Sequence, residues 1–375
     1  MAVNVHFDEM VSKRHQYARE WKERTGGRVV GYMCTYIPEE MLYAAGLLPV
    51  RLLGEHQPES VTEAHMPGFF CSYTRGCLAE GLLGRYDYLD GVIAPHGCYQ
   101  IRQAYAVWNR HASTDYKFYF FMPTVVRSPR AHQALVKETQ RLRTSLQEWL
   151  GKPVTDEALR KAADVYNANR SLLTRLYELR RDGYSTIPGS EVLKIVLASQ
   201  VMDKAEHMEA LEVLLGGLVP GDKRDGGDGI RLMVVGSEMD APELLELVES
   251  LGGDVVVDDH CAGSRYFWGQ IGNGSDVVAA ISRRYIDRPA CPLYDQPDRR
   301  RTDHVLGLAR DYGVKGALLV HLKFCDPHEY DMPHLRTSLQ NVGIPSLDLE
   351  TDLTIPVGQF HTRIEAFLET IVPEG

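Results

Sequence analysis

Short apolar runs alternate with longer amphipathic stretches along this chain. Arg28-Val-Val-Gly-Tyr-Met, Leu47-Leu-Pro-Val-Arg-Leu-Leu, Gly91-Val-Ile-Ala-Pro and Lys117-Phe-Tyr-Phe-Phe read as strands, being brief and nearly continuous in apolar character. Pro38-Glu-Glu opens a helix, with acids in its first turn where the macrodipole favours them. Residues 28–125 therefore predict an α/β domain with a mostly parallel sheet. Ahead of it, residues 1–27 read as one polar amphipathic helix, with Phe7, Met10, Val11, His15, Tyr17 and Trp21 among charges. Over 127–218, Leu135, Leu142, Leu146 and Trp149, then Leu159, Ala163, Tyr166, Leu173, Leu176 and Leu179, recur at helical spacing. Thr155 before Asp156 and Glu157 is an N-cap. The stretch 219–229, Val-Pro-Gly-Asp-Lys-Arg-Asp-Gly-Gly-Asp-Gly, is a linker by composition. Strands at Ile230–Gly236, Asp254–Val257, Val314–His321 and Ser346–Leu349 make a second α/β domain. The expected fold is two open, mostly parallel α/β domains (28–125 and 230–375), with a helical segment and linker between them (126–229) and an N-terminal helix. The two halves could be a distant duplication, but no strong short repeat is visible.

Composition narrows the function. The chain has 375 residues, enough for two or three domains, and is 44% hydrophobic and 25% charged, as an ordinary globular protein is. A net charge of -10 argues against a general nucleic-acid surface. No apolar stretch approaches the roughly 20 residues of a membrane span. The first residues lack the basic and then apolar regions of a signal peptide. The expected setting is the cytoplasm, where thiols stay reduced. There is no Gly-x-x-x-x-Gly-Lys-Ser/Thr phosphate loop, no Gly-x-Gly-x-x-Gly after a strand, and no Cys-x-x-Cys pair.

The cysteines carry the most chemical information. There are seven, at 34, 71, 77, 98, 261, 291 and 325, an odd and dispersed set that argues against a disulfide framework. Cys34, Cys98, Cys261 and Cys325 each stand just beyond a strand-like run. Ligands of open α/β sheets bind beyond the carboxyl ends of the strands, so thiols from separate strands can meet there. That placement suits a metal cluster. Any one cysteine has a second reading as a small core hydrophobe. Cys71 and Cys77 are about 240° apart on a helix and do not share a face, so one of them is inert. Cys291, between Ala290 and Pro292 in an Arg/Pro/Asp-rich loop, is the expected bystander.

The local sequences also resemble a known family. Gly31-Tyr-Met-Cys-Thr-Tyr-Ile-Pro-Glu-Glu-Met-Leu-Tyr-Ala-Ala-Gly-Leu-Leu-Pro-Val-Arg51 and Phe70-Cys-Ser-Tyr-Thr-Arg75 resemble the N-terminal signature of the benzoyl-CoA reductase/2-hydroxyacyl-CoA dehydratase family. Asp258-Asp-His-Cys-Ala-Gly-Ser-Arg-Tyr-Phe267, Lys323-Phe-Cys-Asp-Pro-His-Glu-Tyr-Asp-Met-Pro-His-Leu335 and Gly343-Ile-Pro-Ser-Leu-Asp-Leu-Glu-Thr-Asp352 resemble its later motifs. Gly84-Arg-Tyr-Asp-Tyr-Leu-Asp-Gly, with Ile101-Arg-Gln-Ala-Tyr-Ala-Val-Trp108, is most similar to the cluster-carrying subunits of the ATP-dependent (class I) benzoyl-CoA reductases.

The resemblance implies a low-potential [4Fe-4S] cluster held by Cys34, Cys71 and Cys325, with one iron left open. Some relatives carry a double-cubane cluster, to which Cys77 or Cys98 could add thiolates. The implied function is that of an iron–sulfur subunit passing electrons to an aromatic acyl-CoA to give a cyclic dienoyl-CoA. Implied partners are a homologous cluster-bearing subunit, ATP-hydrolysing electron-activating subunits through which alone ATP acts, and a ferredoxin upstream. Nucleic acid and membrane are not expected partners. Two alternatives stay open: a subunit of a radical 2-hydroxyacyl-CoA dehydratase, and a non-catalytic relay or scaffold. His96 and His260, beside strand-end cysteines, are candidate proton donors, or else structural histidines. Arg102, Trp108 and Arg265 are candidate substrate contacts; for Arg102 and Trp108 the other readings are a surface ion pair and a core residue. The flanks of Cys261 (Asp258, Asp259, Gly263 and Arg265) suit a turn and an anion contact.

Overall fold

The structure, a computed structural model, describes residues 7–55, 60–183, 187–218 and 229–371. The expected linker at 219–229 lies outside the described residues except for Gly229. All eight expected strands form. β1 (Arg28–Tyr32), β2 (Leu47–Arg51), β3 (Gly91–Pro95) and β4 (Tyr116–Phe120) pair in the order β2-β1-β3-β4. β5 (Ile230–Gly236), β6 (Gly253–Asp259), β7 (Gly316–Leu322) and β8 (Ser346–Thr351) repeat that order as β6-β5-β7-β8. Every pairing is parallel. β2 and β3 are buried along their length, which is why they read as apolar runs with no alternation. In each sheet the winding reverses between the first and third strands, and such switch points open a crevice at the strands' carboxyl ends. At the second switch point β5 and β7 approach so closely that a Cβ on Gly236 would stand 1.8 Å from the Val320 carbonyl oxygen. Only glycine fits there.

The expected N-terminal helix is two: α1 (Phe7–Ser12) and α2 (Arg14–Thr25), divided at Lys13. The division lets Arg14 turn inward, where it bonds Glu55 at 2.9 Å. Next come α3 (Glu39–Ala44), α4 (Ser72–Leu82) and α5 (Tyr99–His111). The helical segment holds α6 (Ala131–Leu150), α7 (Asp156–Arg181), α8 (Gly189–Val201) and α9 (Lys204–Gly217). Thr155 caps α7 as its position predicts, its side chain accepting from the Ala158 N–H. α8 is the keystone. Only Glu191 and Lys194 escape burial, and the helix packs on β2 at one side and β6 at the other. One apolar cluster consequently runs from the first sheet through α8 into the second. The second half adds α10 (Glu243–Ser250), α11 (Val277–Asp287), α12 (Arg300–Asp311), α13 (Asp326–Asn341) and α14 (Val357–Ile371). Among the described residues no helix is long and apolar enough to cross a membrane.

The acids that open α3 also lock the halves together. Glu40, fully buried, binds Arg170 of α7 and accepts from the Tyr285 hydroxyl of α11 at 3.0 Å. Burial pushes the Glu40 carboxyl up, but Arg170 and Arg284 pull it further down, to a net position below the ordinary carboxylate value. A group whose folded pKa is depressed contributes stability above its unfolded pKa, and that contribution disappears as pH falls through the folded value. We expect the urea midpoint to drop as pH is lowered from about 5 toward about 3, and Glu40→Gln to flatten part of that slope. Arg170→Met, which strands the buried carboxylate, should cost about 3–5 kcal/mol near neutral pH. A variant as stable as wild type would show that the pair contributes nothing net.

Candidate metal centre

Six of the seven cysteines line one cavity at the carboxyl ends of the two sheets. Cys34 follows β1 after one residue. Cys71 is the N-cap of α4 and Cys98 that of α5, beyond β3. Cys261 lies two residues beyond β6, Cys291 in the loop between α11 and α12, and Cys325 at the N-cap of α13, beyond β7. All are free thiols. The three N-cap cysteines make no side-chain capping bond, and their helices run 11, 13 and 16 residues. Such helix N-termini favour a thiolate.

Cross-links between the halves hold these thiols in place. Gln100 accepts from the Cys71 N–H at 3.2 Å and donates to the Phe324 carbonyl at 3.2 Å, joining the two N-caps. Phe324 itself adopts φ 65°, a left-handed conformation costly for a side-chain-bearing residue and held where Cys325 must be aimed. The Cys291 N–H donates to the Tyr36 hydroxyl at 3.0 Å. Arg288 donates to the Thr35 carbonyl at 2.7 Å and hydroxyl at 3.0 Å, beside Cys34.

The electrostatics ask for an anion. Arg288 is 2% exposed and has no carboxylate partner among the described residues. Arg265 stands 3.7 Å from the Cys261 sulfur. It also donates to His328 Nε2 at 3.3 Å, leaving the imidazole proton on Nδ1, which has no partner among the described residues. Burial, with Arg265 and Arg301 nearby, holds His328 well below the usual histidine range, so the ring is neutral. An unpaired buried guanidinium and an unanswered N–H are costly without a negative group close by. Burial also pushes all six thiols up, so they ionise only against a metal, which must displace their protons. Soft thiolates in this number, ringed by cations, have the chemistry that an iron–sulfur cluster requires. By contrast, His321, Glu329 and Glu350 cluster outside the cavity as harder, partly exposed donors, and Glu329 already accepts the Phe324 N–H.

The cavity gathers Cys34, Cys71 and Cys325, and Cys98 with them. Cys77 is apart, on the other face of α4, donating to the Leu52 carbonyl at 3.3 Å. Cys291, the expected bystander, lines the cavity because Arg288 and Tyr36 pin its loop there. His260 is buried 3.5 Å from Asp258, and His96 lies tilted against the Phe121 ring; neither lines the cavity. Arg265 is committed to Asp259, to two backbone carbonyls and to His328. Trp108 is 1% exposed, packed against Gly81 and Tyr86. Arg102 is exposed over the Tyr99 ring.

Two cavity residues escaped sequence reasoning, though the strand-end rule points to both. Arg51 ends β2 and Glu238 lies two residues beyond β5. They bond at 2.7 Å. Arg51 also donates to the Tyr73 hydroxyl at 2.9 Å, so its plane is fixed. Burial pushes the Glu238 carboxyl up to about 7 despite the pull of Arg51, and its Oε1 has no partner among the described residues.

A family model described as 2-hydroxyglutaryl-CoA dehydratase, D-component, matches residues 34–371. The chain is 26% identical over 370 residues to the (R)-phenyllactyl-CoA dehydratase beta subunit of Clostridium sporogenes, covering 97% of each. It is 27% identical over 340 residues to a benzoyl-CoA reductase subunit of Thauera aromatica, covering 89% of this chain and 88% of that one. With the beta subunit of (R)-2-hydroxyglutaryl-CoA dehydratase of Acidaminococcus fermentans it shares 28% over 362 residues, 92% of this chain and 93% of the relative.

Proposed function

Because the chain belongs to the 2-hydroxyglutaryl-CoA dehydratase D-component family, we propose that it is the iron–sulfur subunit of an ATP-dependent reductase. Its substrate would be an aromatic acyl-CoA of the benzoyl-CoA class, reduced to a cyclic dienoyl-CoA. The observation that carries this reading is the six-thiol cavity. Three cysteines suffice for a [4Fe-4S] cubane with one iron open, so six suit a double cubane, and two linked centres suit delivery of an electron pair. When bound, an iron–sulfur cluster supplies low-potential single electrons.

The chain's own residues supply the rest. Glu238, whose carboxyl burial raises to about 7, is able to carry a proton near neutral pH, and Arg51 keeps that carboxyl on the cavity wall. The His328 Nδ1–H is a neutral donor to sulfide or to developing negative charge. Ile101, Leu293 and Leu322 exclude water from the wall. Energy input comes from ATP-hydrolysing partner subunits fed by a ferredoxin, and a homologous subunit completes the complex. The absence of a phosphate loop in this chain supports that division of labour.

The likeness to a phenyllactyl-CoA dehydratase subunit favours a second reading, in which the electron is recycled through a dehydration. Stoichiometry separates the two. Assembled anaerobically with its activating partner and benzoyl-CoA, the enzyme should consume reductant and ATP in proportion to dienoyl-CoA formed. Turnover of a 2-hydroxyacyl-CoA with only catalytic reductant would establish the dehydratase instead. No conversion of either thioester by an iron-loaded complex would defeat both.

A further inference from the structure

A second concavity, away from the thiols, gathers positive charge in a chain of net charge -10. It is lined by Arg127, His132, Arg283 and Arg300, with Asp287 as the acid among its lining residues. Arg127 uses Nε on Asp298 at 3.0 Å, which leaves its two terminal nitrogens for another acceptor. His132 meets the Ala279 carbonyl through Nε2 at 3.0 Å, so its Nδ1 accepts from Arg283 at 3.3 Å and orients that guanidinium. Arg283 lies 3.9 Å from Asp287, a loose pair. One terminal nitrogen of Arg300 is buried without a partner among the described residues. The pocket also receives the first turns of two helices, α6 and α12. Asp295 accepts the first-turn Arg301 N–H of α12 at 2.9 Å, whereas Arg130 gives α6 no side-chain cap, so the backbone N–H groups of α6 add to the positive field.

Its place in the fold links it to the cavity. α11 ends at Asp287, on the pocket, and α12 begins at Arg300, also on the pocket. The loop between them carries Cys291 to the thiol cavity. Pocket and cavity thus flank one loop, and α6 enters from the carboxyl end of β4 on the same side of the first sheet.

We propose that this pocket binds the phosphate-bearing nucleotide end of a CoA thioester, so that the pantetheine arm can lead past the 288–299 loop toward the cysteines. Guanidiniums with free paired donors match phosphate oxygens in geometry and charge. The assignment rests on the acyl-CoA reading above and places its recognition on residues different from Arg102 and Arg265.

The test uses the full chain and adenosine 3′,5′-bisphosphate, the thiol-free phosphorylated end of CoA. Calorimetric titration should show binding that weakens as salt rises, while adenosine does not bind. Arg127→Ala with Arg300→Ala should weaken it at least tenfold; Lys161→Ala, on an exposed face of α7, should not. Retained melting temperature shows that the double variant is folded, and the single Arg300→Lys variant, which keeps the charge, should lose less. Wild-type affinity in the double variant overturns the proposal, as does a wild-type protein that ignores the bisphosphate at millimolar concentration. The same preparations titrated with benzoyl-CoA separate the two levels. If the ester binds wild type and double variant equally, the pocket is wrong and the acyl-CoA reading stands; if no CoA ester binds wild type, both fall.

Discussion

Replacing any one of Cys34, Cys71, Cys98, Cys261, Cys291 or Cys325 by alanine is expected to remove half or more of the iron and acid-labile sulfide from anaerobically prepared protein. Cys77→Ala should leave both near the wild-type level. The six differ from the seventh in environment. They share one cavity wall, whereas Cys77 already donates to the Leu52 carbonyl from the opposite face of its helix. Losing one thiolate also leaves the neighbouring guanidiniums with less negative charge to answer, so the loss should exceed one sixth. Cys291→Ala is the sharpest of the set. A single three-cysteine cubane on Cys34, Cys71 and Cys325 has no use for it, so full iron content in that variant would reduce the site to the smaller cluster. A folded wild-type protein without iron or sulfide would remove the metal centre altogether.

The second large effect is expected at Glu238. Glu238→Gln should lower turnover by about 10²- to 10⁴-fold, the usual contribution of a placed proton donor, with iron and sulfide retained. The motive is geometric: one carboxyl oxygen is held by Arg51 at 2.7 Å and the other, buried, has no partner among the described residues, on a cavity that would hold the reacting group. The amide keeps the shape and a bond to Arg51 but carries no transferable acid proton. Iron content separates a chemical role from a structural one. If turnover and cluster fall together, Glu238 shapes the cavity; if turnover stays within threefold of wild type, the proton comes from elsewhere.

Strands such as β2 and β3 were legible because they are buried on both faces, which writes an unbroken apolar run into Leu47–Val50 and Gly91–Pro95. From those runs the strand-end rule located Cys34, Cys98, Cys261 and Cys325. Cys291 was illegible for the same reason: no strand leads into it. Its position depends on Arg288 and Tyr36, contacts between segments some 250 positions apart that no local pattern records. The shared strand order of the two sheets was also hidden, since topology is set by which backbones pair and tolerates wide change in side chains. Arg265 carries the opposite lesson. Its motif was visible, but whether its donors face a ligand or Asp259 and Gly236 is decided by packing alone.

The six cavity thiols have a mechanical consequence as well. Three of them come from the first half and three from the second, so a cluster bound across the halves as proposed would tie the two ends of residues 99–260 into a single long loop. Such a tie does for a reduced protein what a disulfide does for a secreted one: it limits the freedom of the unfolded chain. On the chain-entropy view, closing a loop of that size is worth about 5 kcal/mol. Air would then act twice on this molecule. Oxidative loss of the inorganic core would silence the chemistry and, in the same event, unfasten the seam between the sheets. Damaged copies would thereby be marked for proteolysis, while loaded ones stay closed.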